Sequence, residues 1–171
     1  IVSGWNVGEH NMFGVAIRDH DDRYAYAEEW ITIVKRIWLE SEPFDFAGRF
    51  FSLTGVLSNP KPYGGQRPLL ISAGNSPVGR AFAARHADCL FTSIRELEEL
   101  DGKVADLKAV AGSEARVFAS GHVITGPAEK EARDYYNFIV HETGDWEAAE
   151  HTVAIRTRGG SSSGPKLAKM K

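Results

Sequence analysis

The apolar positions of residues 21–40 follow the period of an α-helix. They are Ala27, Trp30, Ile31, Val34, Ile37 and Trp38, at spacings of three and one. Residues at these spacings share one helical face, which packs against a core. The aspartates at the start, Asp19, Asp21 and Asp22, can cap exposed N–H groups and suit the positive end of the helix dipole. The pattern predicts a helix over residues 21–40 that ends before Pro43, with Trp30 and Trp38 packed inside.

Short, unbroken apolar runs alternate with helical patterns along the rest of the chain. The predicted strands lie at 68–74, 87–92 and 117–125, and the predicted helices at 76–86, 96–111 and 128–142. Strands without polar alternation are typical of parallel sheets that are buried on both faces. The sequence therefore predicts an α/β fold. Its three to four βα units would form a small open domain or part of a (β/α)₈ TIM barrel, which needs about 250 residues.

Two segments lack a clear helical or strand period. Residues 1–18 are punctuated by glycine and predict a strand end that feeds a loop. Residues 43–67 combine glycine, proline and aromatic residues, and the alternation over 46–53 predicts one short extended piece inside a long excursion.

Charge and composition divide the chain into a globular part and a tail. The 171 residues carry a formal net charge of −3, yet residues 156–171 hold five basic residues and no acid. We expect a folded domain over residues 1–150, either a small open α/β domain or a partial barrel, and a flexible, basic Gly/Ser/Lys tail over 151–171. Five charges without interleaved aromatics favour a solvated end over a nucleic-acid site, which would give salt-dependent retention on DNA.

Further features concern the cellular setting. No apolar run approaches the roughly 18 residues that span a bilayer, so we expect no membrane association. The single cysteine, Cys89, excludes an intramolecular disulfide, fits a reducing compartment such as the cytoplasm, and lies in an apolar strand typical of the core. The chain begins at Ile1 and not at Met, and we expect it to be a piece of a longer protein.

The sharpest candidate for chemistry is the turn Gly74-Asn75-Ser76-Pro77, between a predicted strand and a predicted helix. Free backbone N–H groups of Gly74 and Asn75 together with the Ser76 hydroxyl would suit a phosphate. The alternative is that Ser76 caps its own helix. Pattern alone leaves both interpretations open.

Two more specific motifs, a P-loop and a nucleophile elbow, are not matched at this turn. Gly79 is followed by Arg80-Ala81, not by the Lys-Ser/Thr pair of a P-loop. A nucleophile elbow would need a glycine two residues after Ser76 and a free N–H where Pro77 lies. P-loop NTPases and serine hydrolases are therefore disfavoured.

A second candidate is the start of the helix predicted over residues 21–40. Arg23 and Tyr24 place a cation and a hydroxyl in its first turn, and both suit a phosphate. An exposed arginine beside a half-buried tyrosine would give the same pattern. The preceding Asp19-His20-Asp21-Asp22 lacks metal-ligand spacing, so we expect capping there and no metal site.

A set of short motifs is distributed over about the first 140 residues. They are Ser3-Gly4-Trp5-Asn6, Glu9, Met12-Phe13-Gly14, His20-Asp21-Asp22-Arg23-Tyr24, Glu28-Glu29-Trp30, Phe44-Asp45-Phe46-x-Gly48-Arg49-Phe50-Phe51, Pro60-Lys61-Pro62, Ser72-Ala73-Gly74-Asn75-Ser76-Pro77-x-Gly79 and Ala87-Asp88. Their combination resembles the bacterial luciferase-like family of flavin-dependent monooxygenases. The branch it resembles includes pyrimidine, dimethylsulfone and alkanesulfonate monooxygenases.

The resemblance implies a fold, an activity and site residues. The fold would be a TIM barrel, of which this chain would run from about the end of strand four to the helix after strand seven. Reduced FMN, supplied by a separate NAD(P)H-dependent reductase, and O₂ would oxygenate a small organic substrate. Arg23 and Tyr24 would contact the flavin phosphate, Ser76 would bind it, and Glu9 matches an acidic flavin-site position. The full-length protein would be a homo-oligomer.

Two other interpretations stay open on the sequence. One is a member of the same superfamily that uses the deazaflavin F420 for hydride transfer, although the Arg23-Tyr24 pair and the Trp5 loop favour FMN. The other is a non-catalytic fragment with at most weak flavin-phosphate binding, because so few βα units leave sheet edges unpaired. Neither the substrate nor a catalytic base can be assigned.

Overall fold

The computed structural model describes residues 1–94 and 96–158. The chain divides into two compact units. The first comprises Ile1–Gly4 and Arg18–Ala119, and the second comprises Trp5–Ile17 and Ser120–Lys171, the latter described through residue 158.

The first long helix of the first unit, α2, spans His20–Leu39 and confirms the predicted helix to within one residue at each end. Its buried residues are Ala27, Ile31 and Ile33, and Trp38 packs against the core. The prediction for Trp30 is wrong, because its side chain is 42% exposed. The spacing predicts which face of the helix is apolar. How much of that face is buried depends on the elements that pack against it.

The aspartates at the start of α2 do not cap it as predicted. Asp19 occupies the N-cap position but its side chain makes no capping hydrogen bond. Asp21 pairs with His20, and Asp22 accepts two hydrogen bonds from the Arg49 guanidinium. These acids suit the helix dipole but are engaged by other side chains.

The sheet of the first unit has three strands, in the order β3, β4, β5: β3 is Ile71–Ser72, β4 is Cys89–Ser93 and β5 is Arg116–Ser120. β3 and β4 are parallel, with Ile71 opposite Cys89, which confirms the predicted parallel pairing. Cys89 is buried as expected. The segment around β3 is not a fully buried strand, however, because Leu70 and Ser72 are buried whereas Leu69 and Ile71 are exposed. Within the unit, one face of the strand is covered and the other is not.

Helix α3 spans Pro77–His86 and lies between two small cores, because neighbouring residues face opposite sides. Phe82 packs with Ala27, Ile31 and Leu70 of one cluster. Ala83 packs with Leu90 and Leu107 of the other. Leu107 belongs to α4, Leu100–Ala111, which follows a 3₁₀ turn at Leu97–Glu99. The predicted helices over 76–86 and 96–111 are thus confirmed, the second with a 3₁₀ start.

Residues 43–67 contain an antiparallel hairpin and not the single extended piece predicted over 46–53. Its strands are β1, Phe44–Ala47, and β2, Ser52–Val56. The Glu29 carboxylate of α2 accepts hydrogen bonds from the backbone N–H groups of the connecting turn, Arg49, Phe50 and Phe51. A Cβ on Gly48 would lie 2.5 Å from Glu29 Cδ, so glycine permits this close approach.

The second unit is helical in its described residues. Its helices are α1, Val7–Met12; α5, Glu129–Asn137; and α6, Trp146–Arg158, with a π-helical turn at Phe138–Glu142 after α5. The loop predicted for residues 1–18 is wrong at α1, where the Asn6 side chain accepts a hydrogen bond from Gly8 N–H. The strand predicted to reach residue 125 ends at Ser120. Helix α6 includes residues 151–158 of the predicted tail, and residues 159–171 lie outside the described part.

Candidate functional site

The turn before α3 begins at the carboxyl end of β3. Ser76 is the N-cap of α3, and its hydroxyl oxygen accepts a hydrogen bond from Gly79 N–H at 3.1 Å. Pro77 occupies the first helical position, where its missing N–H is not needed. The capping interpretation of Ser76 is therefore confirmed. The hydroxyl still has a proton to donate and a lone pair to share, so capping does not prevent ligand binding.

Two glycines bring this turn against the start of α2. A Cβ on Gly74 would lie 2.7 Å from Gly79 O, so the two backbones are in direct contact. A Cβ on Gly79 would overlap the Tyr24 hydroxyl and lie 2.9 Å from Tyr24 Cζ. The Tyr24 ring also packs on Phe82, with centroids 5.7 Å apart. Tyr24, Gly74 and Ser76, predicted from two separate segments, thus meet at the beginnings of α2 and α3, while Asn75 is exposed in the connecting turn.

Arg23 is held in the first turn of α2 with part of its guanidinium free. Its Nη1 donates to the backbone oxygen of Gly4 at 2.6 Å. Its Nε is buried and has no hydrogen-bond partner among the described residues. A buried, unpartnered donor on a charged group is costly, and an anion at the edge formed by Nε and Nη2 would relieve that cost. Arg23 is therefore half-buried and unsatisfied, not the exposed arginine of the alternative interpretation.

Sequence reasoning missed a residue with the same property. The Nε of Arg80, in the first turn of α3, is also buried without a partner in the described part of the chain. Arg23 and Arg80 hold the two such side-chain nitrogen atoms found in residues 1–94 and 96–158. The signal available in the sequence was a cation in the first helical turn, where the helix dipole disfavours positive charge.

Glu9, the remaining predicted site residue, lies in the second unit. It is exposed in α1, and its carboxylate accepts a hydrogen bond from Asn6 Nδ2 at 2.9 Å. Its prediction as a flavin-site residue stays a prediction.

Ion pairs occupy the other end of α3. Asp88 accepts two hydrogen bonds from the Arg67 guanidinium, at 2.6 and 2.7 Å, and one from Leu70 N–H. The bonds from Arg67 lower the pKa of Asp88 to about 2. Glu28 of α2 accepts hydrogen bonds from Arg85 and His86 in the last turn of α3. Partial burial raises the pKa of Glu28, but these two hydrogen bonds outweigh it and the pKa lies below its ordinary value.

Residues 1–94 and 96–158 hold no group of three or more His, Cys, Asp or Glu side chains arranged to bind a metal ion. No helix in this part combines the length and apolar character needed to cross a bilayer.

Groups that can interact with an anion lie near the beginnings of α2 and α3. Arg23 carries a guanidinium, Tyr24 and Ser76 carry hydroxyl groups, and the start of α3 adds its dipole. Their chemistry suits charge-assisted hydrogen bonds to a phosphate.

Similar proteins were found by sequence and by structure. A pristinamycin IIA synthase subunit of Streptomyces pristinaespiralis is 42% identical over 63% of this chain and 27% of its own length. An FMNH(2)-dependent dimethylsulfone monooxygenase of Pseudomonas putida is 33% identical over 78% of this chain and 37% of its own. A solved riboflavin lyase, holding modified FMN and riboflavin, matches with a TM-score of 0.67 and 25% identity over 78% of this chain and 35% of its own.

The matches cover most of this chain but a minor part of each relative. The chain spans about a quarter to two fifths of the length of the curated relatives it matches. A long-chain alkane monooxygenase structure, with a TM-score of 0.65 and 26% identity over 75% of this chain and 36% of its own, supports the α/β class. The family model described as luciferase-like monooxygenase matches residues 1–167, and the chain therefore belongs to that family.

Proposed function

We propose that this chain is part of a flavin-dependent monooxygenase that binds FMN through its phosphate at the beginnings of α2 and α3. The observation that carries the proposal is the buried Nε of Arg23, which has no partner among the described residues. Arg23 directly precedes Tyr24, whose hydroxyl lies against Gly79 in the first turn of α3. A buried guanidinium donor without a partner costs free energy, and an anion that accepts its hydrogen bond removes that cost. Family membership supports a flavin as the molecule that carries it, since a relative is named FMNH(2)-dependent.

Each residue has a separate task in this proposal. Arg23 would bind phosphate oxygens through Nε and Nη2, because Gly4 O occupies its Nη1. Ser76 would donate its hydroxyl proton to the phosphate while its oxygen continues to cap α3. Tyr24, near the beginning of α2, would donate its hydroxyl proton to the phosphate. Reduced FMN, when bound, supplies the electrons with which O₂ oxygenates a small organic substrate, and the protein supplies orientation and shelter from water.

The remaining features of the proposal rest on the family. The chain would form the part of a (β/α)₈ barrel from about the end of strand four to the helix after strand seven, with a Gly/Ser/Lys tail after it. The exposed Leu69, just before β3, and Ile71, within it, are consistent with strands that belong to a larger sheet. Glu9 would lie at the flavin, a separate NAD(P)H-dependent reductase would provide reduced FMN, and the full-length protein would be a homo-oligomer.

Titration with oxidised FMN, followed by quenching of flavin fluorescence, tests the proposal. The chain should bind FMN saturably, and Arg23→Gln should weaken binding about 10- to 100-fold because a charge-assisted bidentate contact is lost. Arg133→Gln is the matched control, since Arg133 is exposed and paired with Glu129 on α5. It should bind FMN normally.

The same titration separates the alternatives. Saturable binding of F420 in place of FMN would move the chain to the deazaflavin members of the superfamily. Binding of neither cofactor would overturn the proposal for this chain and favour an inert fragment.

A further inference from the structure

The tip of the β1–β2 hairpin, residues 48–51, encloses a carboxylate of α2. It donates three backbone N–H groups to Glu29, from Arg49, Phe50 and Phe51, at N···O distances of 2.7, 2.9 and 3.1 Å. Successive N–H groups arranged in this way form a concavity that binds an anion. A glutamine in the same place would offer one acceptor oxygen, and its NH₂ group would face other donors. The tip is therefore shaped for an ionised carboxylate.

The base of the hairpin is fixed to α2 by other interactions. Phe44 of β1 is buried, and the guanidinium carbon of Arg36 lies 3.8 Å from the centroid of its ring. Arg36 also donates a hydrogen bond to the backbone oxygen of Asp45 at 3.0 Å. The remaining residues of β1 and β2 are exposed or half-buried. The base thus stays on α2 without Glu29.

The other contacts of the tip offer less resistance to opening. The rings of Phe50 and Phe51 are half-buried, and their centroids lie 5.5 and 4.8 Å from that of Tyr26. The Arg49 guanidinium pairs with Asp22, but both side chains are exposed, and exposed ion pairs contribute little. Segments with few buried apolar contacts open locally before the rest of a protein unfolds.

We propose that Glu29 is an acid-sensitive latch: its ionised carboxylate holds the hairpin tip on α2, and when it takes up a proton the tip opens while α2 stays folded. A protonated carboxyl group loses its charge and gains a donor, so it cannot keep three backbone hydrogen bonds at full strength. Opening would uncover the ring of Tyr26. The latch does not require the proposed FMN site.

The surroundings of Glu29 set the pH range of the latch. Desolvation raises the pKa of Glu29, but the three backbone hydrogen bonds and the charge of Arg49 outweigh it, so the pKa lies below its ordinary value of 4.5. The ionised form therefore holds the tip at neutral pH, and its contribution is lost as the pH falls below 4.5. The other charged side chains described around the hairpin are Arg18 on the Tyr26 and Phe50 rings, Asp22 with Arg49, Arg36 with Glu40, and Asp45. Because three of these are also carboxylates, a Glu29 variant is needed to assign an effect of acid to Glu29.

Amide hydrogen exchange, measured residue by residue by NMR on the 171-residue chain, tests the latch. The most informative reporter is Gly48 N–H, which donates to Phe51 O at 2.8 Å and not to Glu29. It loses protection when the tip opens, but not when Glu29 merely stops accepting hydrogen bonds. The N–H groups of Ile31 and Ile33, buried residues of α2, report whether the helix itself opens.

The matched pair of variants is Glu29→Gln and Glu28→Gln. Glu28 is the neighbouring residue on α2, and its carboxylate binds Arg85 and His86 of α3 instead of the hairpin. At pH 7, Glu29→Gln should lower the protection of all four tip N–H groups about 10- to 100-fold, because the charge-assisted hydrogen bonds are weakened. Glu28→Gln should leave the protection of the tip unchanged.

The unaltered chain should show the same opening in acid. Relative to the intrinsic exchange rate, the protection of its tip should fall as the pH is lowered from about 6 to about 3, until it matches that of Glu29→Gln. Over this range, the N–H groups of Ile31 and Ile33 should stay protected.

Three results would overturn the inference. Full protection of Gly48 N–H in Glu29→Gln would show that Glu29 accepts hydrogen bonds without holding the tip closed. Equal loss at Ile31 and Ile33 would show that α2 opens together with the tip. Constant protection of the tip of the unaltered chain from about pH 6 to about pH 3 would contradict the response to acid, and this measurement needs no variant.

Discussion

The charged groups at the two ends of α3 differ in whether they have partners. At its C-terminal end, Asp88 is saturated by Arg67 and Leu70 N–H, and Glu28 is shared by Arg85 and His86. In the first turn of α3, the Nε of Arg80 is buried and no described residue accepts its hydrogen bond, and the same is true of the Nε of Arg23 in the first turn of α2. At the C-terminal end, called the saturated end below, these hydrogen bonds join Asp88 to Arg67 and Leu70, and α2 to α3. At the N-terminal end, called the unsatisfied end below, the buried Nε of Arg80 has no partner among the described residues.

Removing Asp88 should give the largest loss of stability. Asp88→Asn removes the charge between Arg67 and Leu70 N–H, and it leaves the largely buried side chain of Arg67 without its counter-ion. We expect the free energy of unfolding to fall by about 2–3 kcal/mol, as measured by urea unfolding. Asp134→Asn is the control, because its pair with Lys130 is well exposed and should contribute less than about 0.5 kcal/mol. Equal effects of the two changes would contradict a saturated, stabilising end.

A glycine pair sharpens the description of the unsatisfied end. Gly79→Ala places a Cβ against the Tyr24 hydroxyl and 3.0 Å from Gly74 Cα, so it should cost about 1–3 kcal/mol by overpacking. Gly102→Ala in α4 meets nothing within 4 Å in the described structure and should stabilise the helix by about 0.5–1 kcal/mol. Urea unfolding would compare them. A Gly79→Ala variant as stable as the unaltered chain would show that α2 and α3 do not meet closely at this point.

Lowering the pH should remove the contribution of Asp88 to the free energy of unfolding. The pKa of Asp88 is lowered from 3.8 to about 2 in the folded chain, so its ionised form stabilises the fold above pH 3.8. This contribution, about 1–2 kcal/mol, is lost as the pH falls from about 4 towards 2. The difference in stability between the unaltered chain and Asp88→Asn should therefore shrink over that interval. A difference that is constant from about pH 6 to pH 2 would contradict the lowered pKa.

The sequence predicted those parts of the fold that depend on interactions between residues a few positions apart. The period of Ala27, Ile31 and Trp38 located α2, and Ser76-Pro77 located the start of α3 because a cap and a first-turn proline act within a few residues. The exposure of Trp30 and Ile71 was not predictable in this way. It depends on which face of each element finds a neighbour, and that is fixed by distant parts of the chain.

The members of the proposed site could be proposed from the sequence, but their arrangement could not. Ser76 and the Arg23-Tyr24 pair each carry groups that suit a phosphate at a helix start, so each was proposed separately. Their meeting depends on two glycines, Gly74 and Gly79, that let the backbones touch. Arg80 was missed because its significance lies in its lack of a partner among the described residues, which becomes visible when the neighbouring charges are known.

Ser76 allows the central claim, that the beginnings of α2 and α3 together bind the flavin phosphate, to be separated from simple helix capping. Aspartate caps helices as well as serine does, so Ser76→Asp should keep the free energy of unfolding within about 0.5 kcal/mol. Ser76→Ala, which cannot cap, should lose about 1 kcal/mol.

The decisive measurement is the affinity of folded Ser76→Asp for FMN, by fluorescence titration beside the unaltered chain. A carboxylate at this position would repel the phosphate and occupy its place. The account predicts that FMN binding weakens at least about 10-fold while the stability of the fold is kept. FMN binding equal to that of the unaltered chain would contradict it, because the phosphate would then lie elsewhere.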